Sequence, residues 1–368
     1  MAKKAGIVTF HNSYSLGACL QAFASINFVS SLGFDADFVN YRNAHEQNTK
    51  SLFRSSNGSK KVALKSFVKE TVFKGRSCKK HAFEGNGKLY SVSEIYYDSA
   101  GAMNDMEFDL LVSGSDQIWN PAILGSLDEA YFLNFAKAKH RVALASSTGS
   151  HLFSNSELEK VIPWLENYDL IGVRETFLAE QLSEYFEDRV YVVPDPTLLF
   201  DGDYWRANTA GRLDPECQNN TDTDGYVLTY FVGAGFQEYY PSIKKYIDVL
   251  NLPVWNIQYN TWRREGVDKY LTSVSPRSFI SLVDNASMII TDSFHGTAFA
   301  LNLNTPFIAM NNKKNPRRVQ ELLRKCDLSM CLEPENISVS KNIDFAHSNE
   351  ALEMARDATV QLYRSVLS

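Results

Sequence analysis

The stretch Ser287–Met310 constrains the fold of this chain more than any other part of the sequence. It opens with a short apolar run, Met288–Thr291, and continues through a polar turn, Asp292–Gly296. A helix of small residues is predicted to begin near Thr297 and to end at Pro306, before a second apolar run. This order of strand, turn, helix and strand is typical of a parallel α/β sheet.

The polar turn of this unit is a candidate functional site. In α/β folds, ligands bind where a strand ends and a helix begins, because the helix presents unpaired N–H groups there. A lone histidine at such a place more often caps the helix or satisfies a core carbonyl. Here Asp292, Ser293 and His295 cluster on one turn. The cluster favours function over the capping alternative and makes His295 a candidate proton donor and acceptor.

The same alternation of strands and helices recurs along the 368 residues, which exceed the size of a typical single core. It predicts a first domain over 1–200 and a second over 225–345. The polar, turn-rich residues 201–224 are predicted to be the linker. A helix within 346–368 can cross back to the first domain. The predicted fold class is α/β, with two Rossmann-like domains that face a central cleft, as in the glycosyltransferase-B architecture.

Two polar turns in the predicted first domain are expected to face that cleft. The loop after the first strand contains Asn12 and Gly17. A later turn is dense in side chains that can bind a polyol, namely Ser115, Asp116 and Gln117. The alternative for the second turn is an ordinary tight turn beside a buried Trp119. Both turns follow predicted strands, which is where a ligand site is expected.

Arg174 follows another predicted strand, Leu170–Val173. A cation at the end of a strand either binds an anionic ligand or forms half of an ion pair. Its position alone favours neither interpretation.

Bulk properties exclude several classes of protein. The net charge of -6 gives no reason to expect nucleic-acid binding. No apolar run approaches the ~20 residues of a transmembrane helix, and the lysines and short apolar run at the N-terminus indicate a first strand and not a signal peptide. No disulfide framework or metal site is expected from the five scattered cysteines, and they fit a reducing cytoplasm. These cysteines are Cys19, Cys78, Cys217, Cys326 and Cys331.

Residues 50–88 differ from the rest of the chain. They contain 11 Lys or Arg residues against two Glu, a charge of +9 in a chain whose total is -6. We expect a basic helical insertion at about 50–90, with one apolar face. Such a helix can rest on the anionic inner face of the plasma membrane or hold a diphosphate-bearing substrate. The alternative is a solvated helix whose lysines contact nothing.

Several sequence blocks together resemble the polysaccharide pyruvyltransferase family. The blocks are GIVTFHN…LGACLQAFA, VSGSDQIWNP, IGVRE, PDPTLL, SPRSFISLVDNAS and TDSFHGTAFALNLNTPF, and with the arginine of NPRRVQELL they span roughly residues 5–326. The resemblance implies transfer of a pyruvyl group from phosphoenolpyruvate to a sugar as a cyclic ketal. The implied acceptor is a bacterial surface polysaccharide or its lipid-linked precursor.

The resemblance also implies roles for individual residues. His295 would be the acid/base, and Arg174 would hold the phosphate or carboxylate of the donor. Where some members have Arg-Leu before the histidine, this chain has Ser293-Phe294, and Arg318 is the candidate replacement cation. The residues implied to bind substrate are Asn12, Gly17, Gln21, Ser115, Asp116, Gln117, Ser293, Phe294 and Arg318.

The resemblance implies no cofactor or metal, because phosphoenolpyruvate is itself the donor substrate. The expected partners are phosphoenolpyruvate and a saccharide acceptor, with peripheral membrane contact through residues 50–88 and no nucleic acid. Two alternatives remain open at this point. One is a glycosyltransferase that uses a sugar nucleotide on the same scaffold, and the other is a saccharide-binding protein without catalysis.

Overall fold

A computed structural model of the chain contains two compact units. The described residues are 2–43, 45, 82–83, 89–211, 213–217, 225–233, 235–259, 263–312 and 316–368. The first unit comprises Met1–Ser66, Tyr90–Leu199 and Ala355–Ser368, and the second comprises Phe67–Leu89 and Phe200–Met354. The basic helix predicted within residues 50–88 lies outside the described residues, apart from residues 82 and 83.

The first unit contains one parallel sheet. Its strands are β1 Lys3–Val8, β2 Phe34–Phe38, β3 Glu107–Ser113, β4 Lys137–Ser146, β5 Leu170–Val173 and β6 Val190–Val192. Its helices are α1 Leu16–Ser31, α2 Pro121–Leu124, α3 Asn155–Leu165 and α4 Thr176–Ser183, with 3-10 turns at Gly101–Met103 and Pro196–Leu198. The strand order is β2-β1-β3-β4-β5-β6. Strand β5 and the last four residues of β3 are fully buried, as expected of a parallel sheet covered by helices.

The second unit repeats this design with five parallel strands. They are β7 Val227–Tyr230, β8 Val254–Ile257, β9 Lys269–Leu271, β10 Met288–Thr291 and β11 Phe307–Ala309. The helices are α5 Gly202–Thr209, α6 Phe236–Leu250, α7 Pro276–Asp284, α8 Phe294–Leu303, α9 Arg317–Lys325 and α10 Ser338–Lys341, with 3-10 turns at Pro215–Cys217 and Ser329–Cys331. The strand order is β11-β10-β7-β8-β9.

Part of the stretch predicted to be a linker is an ordered helix. Helix α5 begins after Asp201, whose carboxylate accepts the N–H of Tyr204, and it belongs to the second unit. Trp205 in this helix is fully buried, with its ring centroid 4.8 Å from that of Phe299. Arg206 forms a salt bridge with Asp284 at 2.8 Å. A polar sequence therefore forms a packed helix here, with Trp205 as its one buried aromatic side chain.

The bounds of helix α8 differ from the prediction and matter for the site. The helix begins at Phe294, three residues earlier than expected, because the Ser293 hydroxyl caps it by accepting the N–H of Gly296 at 3.2 Å. It ends at Leu303, where Asn304 takes a left-handed conformation with φ 57°. Pro306 lies beyond the end and does not terminate the helix. His295 consequently lies in the first helical turn.

The last helix, α11 Ala346–Leu367, spans the boundary between the two units in sequence. Its final part packs in the first unit, where the Tyr363 hydroxyl donates to the carbonyl of Ala143 at 2.5 Å. This approach depends on Gly172, since a Cβ at that position would lie 2.3 Å from the Tyr363 oxygen. In the described part of the chain, no helix is both long enough and apolar enough to cross a bilayer.

Candidate functional site

Each sheet has a point where the strand order reverses, and polar side chains gather at both points. In the first unit the reversal lies between β1 and β3, and in the second it lies between β7 and β10. Ligands of open α/β sheets bind at such points, outside the carboxyl ends of the strands. The turns predicted from sequence to carry function follow β1, β3 and β10. The fold thus places these turns at the carboxyl ends of the strands, beside the reversal points of the two sheets.

In the second unit, the turn between β10 and α8 has a fixed backbone. The Thr291 hydroxyl donates to the carbonyl of Tyr230 at 2.5 Å and accepts the N–H of Ser293 at 3.0 Å. Gly296 packs so closely on this threonine that a Cβ at position 296 would lie 2.5 Å from its Oγ1. The first turn of α8, which carries His295, is therefore held directly against strand β10.

The carboxylate of Asp292 joins the two strands at the reversal point. It is 1% exposed and accepts the N–H of Val232 at 2.7 Å, the N–H of Gly233 at 2.8 Å and the hydroxyl of Tyr239 at 2.9 Å. The amide of Asn312 lies 3.3 Å from the same carboxylate. We call these five residues the Asp292 cluster. The cluster fixes the loop after β7 beside the start of α8.

Three side chains lie next to the Asp292 cluster and are only half-buried: Phe294, His295 and Arg318. The rings of Phe294 and His295 meet edge to face with centroids 5.3 Å apart. The Arg318 guanidinium lies 4.7 Å from the centroid of Phe294, within the range of a cation–π contact. The structure thus brings the predicted acid/base and the predicted replacement cation into contact with one aromatic ring.

In the first unit, the reversal point is tied together by Thr9. Its hydroxyl donates to the carbonyl of Ser115 at 2.8 Å and accepts from the Gln21 amide at 3.0 Å. Gln21 itself is fully buried in α1. Since its amide contacts the Thr9 hydroxyl and the Ala18 carbonyl, Gln21 shapes the loop and does not present a surface to a ligand.

Asn12 is half-buried and lies in the loop after β1, at the reversal point of the first unit. In the amide orientation that satisfies both groups, its oxygen accepts from Nε of Arg42 at 2.9 Å and from Nη1 at 3.0 Å. Arg42 also contacts the Asn40 side chain at 3.2 Å and the exposed ring of Tyr96 at 5.7 Å. Arg42 was not predicted from the sequence, because nothing in its local sequence marks it as part of a site.

The turn after β3 contains a strained residue beside a glycine. Asp116 has a left-handed backbone with φ 74°, and its carboxylate accepts the N–H of Gln117 at 2.8 Å. A Cβ on Gly149, from the loop after β4, would lie 2.1 Å from the Gln117 oxygen. Asp116 and Gln117 are half-buried, whereas Ser115 is fully buried. The two accessible side chains are thus fixed by backbone and by close packing.

Arg174 is half of an ion pair and is only 7% exposed. Its Nη2 lies 2.5 Å from Oδ2 of Asp195 and 2.5 Å from the Ser115 hydroxyl. Asp195 in turn caps the following 3-10 turn by accepting the N–H and hydroxyl of Thr197 at 2.9 and 2.6 Å. Sequence reasoning left the ion-pair interpretation open but did not identify the partner, although Asp195-Pro196 is a typical turn-initiating pair.

The predicted site residues therefore fall into two groups. The half-buried ones, which a ligand can contact, are Asn12, Asp116, Gln117, Phe294, His295 and Arg318. The buried ones are Gly17, Gln21, Ser115, Arg174 and Ser293. Within the described residues, no three His, Cys, Asp or Glu side chains are grouped as metal ligands.

A family model described as polysaccharide pyruvyl transferase matches residues 16–315. This match covers most of the chain and includes strands β3, β7 and β10. The chain belongs to the polysaccharide pyruvyl transferase family. Members of this family are transferases that act on saccharides, so the half-buried residues at the two sheet edges are candidates for binding a saccharide substrate. No curated protein matches the chain with significance.

Solved structures with the same architecture have very different sequences. A protein described as a UDP-N-acetylglucosamine 2-epimerase from Listeria monocytogenes is 11% identical, with a TM-score of 0.50, and the match covers 98% of this chain and 91% of that one. The spinosyn rhamnosyltransferase SpnG is 10% identical, with a TM-score of 0.49 and 99% of each chain covered. The glycosyltransferase SnogD from Streptomyces nogalater is 12% identical, with a TM-score of 0.45 and 100% of each chain covered. At this identity the likeness concerns the fold alone. The chain itself has the predicted α/β class, with one parallel sheet in each of its two units.

Proposed function

We propose that this protein transfers the pyruvyl group of phosphoenolpyruvate to a sugar of a bacterial surface polysaccharide or its lipid-linked precursor, forming a cyclic ketal. The observation that supports this most is the grouping of His295 and Arg318 on the ring of Phe294 at the start of α8. An imidazole can move protons near neutral pH, and a guanidinium can bind a carboxylate or phosphate. The anionic groups of phosphoenolpyruvate require such a cation, and the protonation of its methylene carbon requires such a proton donor.

In the proposed reaction, His295 protonates the methylene carbon of phosphoenolpyruvate. The positive charge that develops at the adjacent carbon is shared with its oxygen, and a sugar hydroxyl attacks that carbon. The neutral imidazole then accepts the hydroxyl proton, which restores His295 for the next cycle. The carbon–oxygen bond to phosphate breaks, a second hydroxyl closes the ring, and its proton leaves with the phosphate. The products are the carboxylated ketal and inorganic phosphate.

Two arginines are assigned to the anionic groups of the donor. Arg318 is half-buried, so its guanidinium can bind a phosphate or carboxylate while its face packs on Phe294. Arg174 has the same assignment in the first unit, and an anion bound there must share the guanidinium with Asp195. We assign Asn12, Asp116 and Gln117 to the acceptor sugar, because amide and carboxylate groups match the donors and acceptors of a polyol.

The central experiment measures phosphate release from phosphoenolpyruvate with lipid-linked and nitrophenyl galactosides, glucosides and mannosaminides as acceptors. The His295→Ala variant is expected to lose about 10²- to 10⁴-fold in kcat, because a positioned acid/base contributes that much. The exposed His347 on α11 provides the matched control, and His347→Ala should retain full activity. Full turnover by His295→Ala would show that His295 is not the acid/base.

A second pair of variants tests the anion ligand. Arg318→Gln should raise KM for phosphoenolpyruvate by about tenfold, because one charge-assisted hydrogen bond is worth about 1.4 kcal/mol or more. Arg317 is the neighbouring exposed arginine in the same helical turn, and Arg317→Gln should leave KM unchanged. If both variants behave alike, the effect comes from net charge and Arg318 has no specific role.

The alternative of a sugar-nucleotide glycosyltransferase predicts a different ligand. Under the pyruvyl transfer proposal, phosphoenolpyruvate raises the melting temperature of the protein and uridine or guanosine diphosphate sugars do not. The reverse result would favour the glycosyltransferase.

We further propose that a lipid-linked acceptor is used in the cytoplasm at the inner face of the plasma membrane, with residues 50–88 making the contact. Deleting charge from that segment should weaken binding to vesicles with anionic lipid and leave turnover of nitrophenyl acceptors intact.

A further inference from the structure

The first unit contains a polar cavity, located where strand β4 begins. Its volume is about 300 Å³, and its walls include Leu133, Asn134, Ala136, Arg141, Trp164 and Asn167. This volume lies at the lower end of the ~300–1,000 Å³ range of small-molecule sites. The cavity lies at the amino ends of the strands. The candidate functional residues of this unit lie at the carboxyl ends, so the cavity is a separate site.

The wall chemistry of this cavity suits a sugar. Trp164 is half-buried, and its ring lies 5.3 Å from the fully buried ring of Phe132, so its orientation is set by the core. An accessible indole ring provides an apolar platform for the C–H face of a sugar and an N–H for a hydroxyl. The Asn134 amide nitrogen donates to the Glu129 carboxylate at 2.7 Å, and its oxygen is an acceptor for a hydroxyl. The exposed amide of Asn167 and the Arg141 guanidinium supply donors for the remaining hydroxyls.

The backbone of the cavity wall is strained. Leu133 and Ala136 both have left-handed conformations with φ 57°, which non-glycine residues rarely adopt. The segment is held by hydrogen bonds, among them that from Nη2 of Arg141 to the carbonyl of Ala136 at 3.0 Å and that from the N–H of Asn134 to the carbonyl of Glu129 at 3.0 Å. Strained backbone of this kind clusters at ligand sites, where it is kept because it shapes the wall.

We propose that this cavity is an accessory site for a saccharide chain, binding one or two sugar units distant from the reacting one. Strand β4 has 10 residues, from Lys137 near the cavity to Ser146 at the functional edge. At ~3.3 Å per residue, the two sites are about 30 Å apart. A monosaccharide cannot contact both, but a polysaccharide or its longer precursor can. The inference rests on the saccharide substrate of the family and requires neither phosphoenolpyruvate nor His295.

Binding is tested first, without turnover. The indole N–H resonance of Trp164, assigned by its absence in Trp164→Phe, should shift when a hexasaccharide of galactose or glucose units is added. The double variant Asn134→Ala/Asn167→Ala should bind the hexasaccharide about tenfold more weakly while keeping its melting temperature, because both side chains are exposed. Asn155→Ala, an exposed position on the same helix as Trp164, is the matched control and should bind as the wild type does.

The second test uses acceptors of two lengths. Loss of the accessory site should lower kcat/KM about tenfold for a hexasaccharide acceptor and leave a nitrophenyl monosaccharide unaffected, since only the long acceptor gains from two points of attachment. An equal loss on both acceptors, or an unchanged Trp164 resonance at millimolar hexasaccharide, would overturn the proposal. The binding result stands whether or not pyruvyl transfer is observed, so the failure of one proposal is distinguishable from the failure of the other.

Discussion

Each of the two sheets has a buried carboxylate beside its candidate site, and the two are satisfied in different ways. Asp195 in the first unit pairs with a cation, Arg174, at 2.5 Å. Asp292 in the second unit is bound by neutral groups, namely two backbone N–H groups, the Tyr239 hydroxyl and the Asn312 amide. Both carboxylates are 1% exposed.

The difference separates a buried arginine that is paired with a carboxylate, Arg174, from a half-buried one, Arg318. Because Asp195 occupies Nη2 of Arg174, part of that guanidinium is committed to the fold of the first unit. In the second unit the carboxylate is satisfied by backbone and neutral side chains, and Arg318 packs on the ring of Phe294. The Asp292 cluster can therefore fix the turn while His295 and Arg318 lie at the half-buried surface. Four substitutions test this comparison.

The largest effect is expected from breaking the ion pair of the first unit. Asp195→Ala should lower the free energy of unfolding by about 3–5 kcal/mol, because it leaves the charge of Arg174 buried beside an apolar group. Chemical denaturation measures the change. The double variant Arg174→Met/Asp195→Leu removes both charges and should be more stable than Asp195→Ala. If the double variant has a lower free energy of unfolding than Asp195→Ala, the ion pair stabilises the first unit beyond neutralising a buried charge.

A smaller loss is expected from Asp292→Asn in the second unit. The amide can accept from only one side, so either the N–H of Val232 or the N–H of Gly233 loses its acceptor. The expected cost is about 2–3 kcal/mol, the range for a buried hydrogen bond to a charged group. Denaturation of Asp188→Asn, an exposed position, gives the control for the same chemical change. If Asp292→Asn is as stable as this control, the negative charge at position 292 is not needed to hold the Asp292 cluster together.

The fold could be predicted largely from sequence, because buried parallel strands are continuous apolar runs. Strands β5 and β10 occupy the predicted residues. Strand β9 was missed because its three residues, Lys269–Leu271, mix charged and apolar side chains. Helix α5 was missed because Trp205 is its one large apolar side chain that is buried, which gives no helical repeat of apolar residues.

The candidate site could be predicted only in part. His295 and Arg318 were named from a turn motif and a family resemblance, and their common contact with Phe294 is visible only in three dimensions. The buried position of Gln21 could not be predicted from the sequence. Every residue of α1 from Leu16 to Ser25 is buried, so this part of the helix has no polar face that would distinguish an exposed glutamine from a buried one. Arg42 was missed for a different reason. Its contact with Asn12 joins the loop after β2 to the loop after β1, which is distant in sequence.

The Gly296→Ala variant tests whether the first turn of α8 is fixed against β10, as the Asp292 cluster beside it is. The added Cβ would lie 2.5 Å from the Thr291 hydroxyl and 3.0 Å from its methyl group, so the helix must shift away from β10. The expected cost is about 2 kcal/mol of unfolding free energy, as for other overpacked sites. Gly101→Ala introduces a Cβ with nothing within 4 Å and should be neutral. Equal stability of the two variants would show that α8 moves freely at this position.

The smallest effect is expected from Tyr239→Phe, which removes one of the neutral donors to Asp292. Since the two N–H groups and the Asn312 amide remain, the cost should be about 1 kcal/mol near neutral pH.

The same variant makes a prediction about pH. Burial, and then the negative charge of Asp292, raise the pKa of Tyr239 above its ordinary value. In the unfolded chain the phenol ionises near pH ~10. The folded phenol resists ionisation, so its stabilising contribution is complete below that pH and declines above it. The stability difference between the wild type and Tyr239→Phe should therefore be constant from pH 6 to about pH 9 and shrink at higher pH. A difference that grows above pH 10 would mean that the phenol is more acidic in the folded protein and that Asp292 does not bind it as a neutral donor.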